Sequence, residues 1–121
     1  MPVCFNEPVS LTQKSAQPME YCQILNEACA IDDEVRRMAY VAVWAAVMTT
    51  ACERSGSNKP FNPILGETYE YVTDQFDFLS EQVSHHPPIT ANYAKGKNSD
   101  WVFWNNQKVN TKFSGTGMEF I

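Results

Sequence analysis

Residues 39–48, AYVAVWAAVM, are ten consecutive apolar residues. Such a run leaves the chain few choices. A membrane-spanning helix needs about 20 apolar residues. Arg36 and Arg37 stand just before this run, and Glu53 and Arg54 just after it. The run is therefore predicted to be the middle of a long, buried, central helix in a soluble protein. Asp32 or Asp33 is the expected cap, and the helix should reach about Arg54. Its apolar residues, from Val35 and Met38 through Trp44 and Met48 to Cys52, go nearly all the way round, so packing on several sides is expected. SGSN, Ser55–Asn58, should end it, with Gly56 as a left-handed cap.

Upstream, Met1–Pro8 reads as an extended lead-in closed by proline. Ser10 and Gln13 fit a capping box for a short helix that must stop or kink near Pro18. Met19–Ala30 is the next predicted helix. Pro18 suits its first turn, and Tyr21, Ile24, Leu25 and Ala28 form its apolar stripe. Cys4, Cys22, Cys29 and Cys52 make no CxxC pair. They read as small core residues in a reducing compartment. Met1–Val9 has an acidic residue and no long apolar run, so it does not read as a signal peptide.

Downstream, KPFNPILGE, Lys59–Glu67, has two prolines and a glycine in nine residues. Neither a regular helix nor a central strand fits them. Phe61, Ile64 and Leu65 favour burial, so a fixed, packed, irregular segment is expected. The pattern then turns to β. Strands are predicted at 68–73, 76–84, 89–94, 101–104 and 108–113, with turns at Asp74-Gln75, Lys95–Ser99 and Asn105-Asn106. Gly115 and Gly117 flank a further turn, and a sixth strand begins at Met118. Short consecutive strands with tight turns read as an antiparallel meander. The fold class is α+β, with N-terminal helices followed by that meander. Ending in mid-strand at Phe120-Ile121, the chain reads as part of a larger barrel, with an edge open to pairing.

The 121 residues fit one small domain or part of a larger one. The net charge of −5 excludes broad electrostatic affinity for nucleic acid or an anionic membrane. Any anion site must be local. SHHPP, Ser84–Pro88, is the place to look. His85 and His86 are the only histidines, and neighbouring strand residues point to opposite faces, which disfavours a shared metal ion. Nothing resembles GxSxG, so a serine triad has no nucleophile. Two readings remain on local grounds: a hydrogen-bonded pair closing a strand before a rigid turn, or an anion receptor. Imidazole titrates near neutrality and a bound phosphate favours its charged form. Lys59 would add a fixed positive charge, although a lone lysine is usually just solvated.

KPFNPILGETYE, Lys59–Glu70, together with SEQVSHHPP, Ser80–Pro88, resembles the paired signature of the oxysterol-binding protein family. MPVCFNEPVSLTQ and MAYVAVWAA are similar to that family's lipid-binding domain too. The resemblance implies an incomplete antiparallel β-barrel with helices at its base, a tunnel for one lipid, and no enzymatic step. It divides the chain into a helical base (1–58), a signature loop (59–67) and the first barrel strands (68–121). The family's lid before MPVCFNEP and its C-terminal barrel half are not matched, so a partial domain is expected.

The resemblance also implies that Lys59, His85 and His86 hold the phosphate of phosphatidylinositol 4-phosphate, with Asn62 as a further headgroup contact. The implied ligands are a sterol, phosphatidylinositol 4-phosphate or another phospholipid, moved between membranes during transient contact. No cofactor, metal or nucleic acid is implied. The expected location is cytoplasmic, peripheral at membranes or membrane contact sites. Pro87 and Pro88 would hold both rings toward the tunnel mouth through a bulge that breaks strand alternation. A second reading is a truncated, non-transferring interaction module, able to oligomerise through an open barrel edge. A third, an enzyme with His85 or His86 as general base, lacks a nucleophile or metal partner.

Overall fold

The computed structural model describes residues 3, 6–54, 59–108, 111–113 and 118–120. Cys4, SGSN with Gly56, the turn at Gly115 and Gly117, Ile121 and the side chain of Cys52 lie outside what is described.

Strand β1 (Asn6–Ser10) leads into α1 (Leu11–Lys14). The capping box forms: the Ser10 N–H donates to Gln13 Oε1 at 2.9 Å, and the Gln13 N–H to Ser10 Oγ at 3.5 Å. The helix expected from Met19 starts differently. Gln17–Tyr21 is a tight 3-10 turn with Pro18 at its start and no side-chain cap, and α2 is α-helical only over Cys22–Cys29. Short 3-10 pieces are common at helix starts. The predicted stripe is nonetheless turned inward, with Leu25 and Ala28 buried and Tyr21 and Ile24 half-buried. Cys22 is buried as well; its thiol donates to Gln75 Oε1 at 3.2 Å, and burial pushes its pKa up. Cys29 corrects the core reading of the cysteines. It is the last residue of α2 and lies exposed, and both thiols are free.

Helix α3 (Glu34–Arg54) begins at Asp33, whose Oδ1 accepts from the Arg36 N–H at 2.7 Å. Its packing differs from expectation. Tyr40, Trp44, Val47 and Met48 make one inward stripe, while Val35 and Met38 are 81% and 67% exposed. Among the described residues this stripe is the side of the helix that packs, against α2, the 3-10 turn and Phe103. Apolar residues on every face therefore do not bury every face.

Strands β3 (Thr68–Val72), β4 (Phe76–His85), β5 (Pro88–Gly96) and β6 (Val102–Lys108) form an antiparallel sheet in chain order. The expected turn at Asn105-Asn106 is absent. Asn105 lies opposite Asn92 and accepts from its amide at 2.7 Å, so β6 continues through both asparagines. Of the predicted strand 108–113, Lys108 closes β6 and Thr111–Phe113 is β7, paired with β8 (Met118–Phe120), while Val109 and Asn110 lie outside the described residues. Among the described residues the strands do not close a barrel.

The core lies between α2, α3 and one face of the sheet. Met19, Cys22, Leu25 and Trp44 meet Phe76, Phe78, Ala94 and Trp101 there. Trp44 stacks edge-on to Phe103 at 5.3 Å, and Trp101 Nε1 donates to Asn26 Oδ1 at 2.7 Å. Gly96 is required by a close approach. A Cβ there would sit 2.6 Å from Trp101 Nε1 and 2.8 Å from the Ser99 carbonyl oxygen. Gly96→Ala is expected to lower stability by about 1–3 kcal/mol, as overpacking does. Its urea midpoint, measured at unchanged m-value, checks this.

Candidate functional site

The signature segment is less irregular than its prolines suggest. Lys59–Phe61 forms β2, which pairs in parallel with β1; Asn6 lies opposite Lys59 and Ser10 opposite Phe61. Pro60 fits because this ladder has only two strands, and proline is tolerated at sheet edges. The chain then turns through Asn62–Glu67. Gly66 takes φ +78°, where a side chain would be strained. Glu67 ties the turn together. Its carboxylate accepts from the Ile64 N–H at 3.1 Å and from Thr12 Oγ1 at 3.3 Å. The Gly66 N–H donates to the Gln82 carbonyl at 2.8 Å, and the Gln82 N–H donates to that of Glu67 at 3.0 Å. Polar bonds and the buried Pro63 fix this loop. Phe61, Ile64 and Leu65, expected inside, are exposed; Ile64 is 70% so.

His85 ends β4, and His86-Pro87 is the two-residue turn into β5, with a cis His86-Pro87 bond. The ladder shifts register between Gln82 and Ser84, so Val83 is a bulge residue. Strict alternation would have sent the two rings to opposite faces. Instead their centroids lie 4.6 Å apart at 61°. His85 is half-buried and His86 exposed. Nδ1 of His85 is buried and has no hydrogen-bond partner among the described residues.

The structure thus brings the two histidines together. Lys59, half-buried, and Asn62, exposed, stand on and just after β2. No hydrogen bond joins either to an imidazole among the described residues; their link to β4 runs through Gly66 and Glu67 at Gln82.

One feature of the site escaped sequence reasoning. The helix-facing side of the sheet is apolar at one end and polar at the other. Along β4, Phe76 and Phe78 give way to Ser80 and Gln82 as the strand nears His85. Their neighbours change in step, from Ala94 and Phe103 to Asn92, Thr90, Asn105 and Gln107. Thr90 Oγ1 donates to Gln82 Oε1 at 2.6 Å, and Ser15 Oγ donates to Gln107 Oε1 at 2.9 Å. Ser80 Oγ, Gln82 Nε2 and Asn92 Oδ1 are buried without a partner among the described residues. The alternation Phe-x-Phe-x-Ser-x-Gln could have signalled this change of lining.

The family model for oxysterol-binding protein matches residues 1–121. The chain belongs to the oxysterol-binding protein family. This is a lipid-binding and lipid-transfer family, not one of enzymes. Human oxysterol-binding protein-related protein 3 is 44% identical over 124 residues, covering 100% of this chain and 14% of that protein. The Osh1 ORD domain, solved in complex with ergosterol, superposes at a TM-score of 0.87 with 41% identity, over 99% of this chain and 28% of that one. The Osh3 ORD of Saccharomyces cerevisiae, solved with PI(4)P, gives 0.82 and 33%, over 99% and 32%. The oxysterol-binding family's incomplete barrel is therefore the fold to which these helices and this meander correspond. The chain spans about a seventh of the curated relative it matches.

Proposed function

We propose that this chain carries the headgroup-recognition part of a lipid-binding domain that exchanges sterol or phosphatidylinositol 4-phosphate between membranes. Lys59, His85 and His86 hold the phosphate, and Asn62 assists. Residues 1–58 serve as the base, 59–67 as the recognition loop and 68–121 as the first wall of the tunnel. The protein works in the cytoplasm, meeting membranes transiently. The observation that carries this reading is the juxtaposed histidine pair, with a buried, unpartnered Nδ1, at the polar end of the sheet. A phosphate at the edge of an apolar tunnel must be met by donors, because burying its charge unpaired is prohibitive. Two imidazoles and one lysine supply charge-assisted donors. The likeness to one ORD solved with a sterol and another solved with PI(4)P supports the choice of ligands.

Lys59→Ala tests it. One hydrogen bond to a charged group contributes about 1.5–3 kcal/mol, or roughly 10- to 100-fold in affinity. Extraction of labelled phosphatidylinositol 4-phosphate from floated liposomes should fall by that factor with the circular dichroism spectrum unchanged. Undiminished extraction would remove Lys59 from the site.

A further inference from the structure

The sheet has a second face, turned away from the helices, that the headgroup reading does not use. On it Leu79, Tyr93 and Trp104 stand in one row across β4, β5 and β6, since Leu79 lies opposite Tyr93 and Tyr93 opposite Trp104. Trp104 is 72% exposed and Tyr93 46%. Lys95 lies between Asp77 of β4 and exposed Val102 of β6, and Lys108 lies opposite Ile89. A lysine therefore flanks the aromatic pair at each end of the β5–β6 ladder. Neither lysine forms an ion pair with a described residue. Acidic residues on this face, Glu70, Asp77 and Glu81, are confined to β3 and β4, and Asp77 is paired with Lys97 at 3.0 Å.

We propose that the Tyr93–Trp104 pair with Lys95 and Lys108 is a docking surface for an anionic lipid bilayer. The proposal rests on the lipid-exchange reading, because a protein that collects lipid must touch a membrane. Charges of both signs set among the apolar residues argue against a protein core here, since a covering core would desolvate them. The bilayer interface suits the same pattern. Tyrosine and tryptophan settle at headgroup depth, apolar body inward and polar tip outward. Lysine stems lie along apolar surface while their ammonium groups reach phosphates and carboxylates. The whole chain is negative, so the attraction is local, and the basic β5–β6 half of the sheet leads the approach. The outer face of α3 differs: Val35, Met38 and Val43 project there with no aromatic pair between them.

Trp44 and Trp101 are buried, so a change in emission on vesicle binding reports on Trp104. The chain is mixed with phosphatidylcholine vesicles, with and without phosphatidylserine, free of phosphoinositide and sterol and carrying brominated acyl chains. Phosphatidylserine vesicles should shift the emission to the blue and quench it. Trp104→Ala should abolish that signal and weaken co-sedimentation. Lys95→Glu with Lys108→Glu should weaken binding at least ~10-fold. The His85→Ala/His86→Ala variant should bind like the parent. Loss of binding in that variant would place the contact at the headgroup site and overturn the proposal. Absence of quenching, equal quenching by uncharged vesicles, or a blue shift that grows with protein concentration alone would overturn it too. Vesicle binding that persists while phosphoinositide extraction fails would refute the headgroup reading and leave this surface standing.

Discussion

Replacing His85 and His86 together with alanine is expected to abolish extraction of phosphatidylinositol 4-phosphate. The two rings sit 4.6 Å apart, so one phosphate can accept from both. Two charge-assisted bonds at about 1.5–3 kcal/mol each amount to roughly 100- to 10,000-fold in affinity. Each single variant should fall between the parent and the double variant. The fold should survive. His86 is exposed, and truncating His85 removes a buried nitrogen that no protein atom satisfies. Glutamine at both positions should restore part of the activity, because an amide donates without charge. Flotation with labelled lipid, run beside circular dichroism, measures both quantities. Parent-like extraction by the double variant would take the histidines out of the mechanism.

Trp44→Ala should cost about 3–5 kcal/mol, the range for deleting a buried aromatic side chain. Trp44 is the one buried side chain of α3 among those described, and it meets Phe103 across the core. Without it α3 keeps only its half-buried stripe. For a chain of this size the melting temperature should drop by about 12–20 °C. Trp44→Phe should cost much less, since it keeps a ring against Phe103 and removes an indole N–H that is buried without a partner. Equal melting temperatures for the alanine and phenylalanine variants would mean that the edge-on contact contributes nothing.

Much of this architecture was legible where local chemistry decides. The Ser10–Gln13 box, the Asp33 cap and the β3–β6 meander follow from hydrogen-bonding groups and alternation within a few residues. The bulge expected beside the histidines falls at Val83, upstream of both, and it is the turn at His86-Pro87 that takes the second ring out of strand alternation. What was not legible depends on distant partners. No local rule says that only one side of α3 is covered. Asn105-Asn106 has turn chemistry, and only Asn92 on the neighbouring strand keeps it extended. Pro60 argued only against a central strand, and that β1 would take β2 as the second member of a small parallel ladder depends on a partner about 50 residues away. The polar end of the helix-facing side shows only once the register is known, since Ser80 and Gln82 matter through the residues opposite them.

That parallel ladder bears on the order of assembly. It joins the segment before all three helices to the residue that carries the proposed phosphate cation, and Thr12 reaches Glu67 across 55 residues of chain. Closing so long a loop is entropically unfavourable until the elements within it have compacted. During synthesis β1 must wait for the helical layer to be made and for Lys59 to emerge. The lysine is then set in place by pairing with a segment made before the helices, so its placement depends on their compaction.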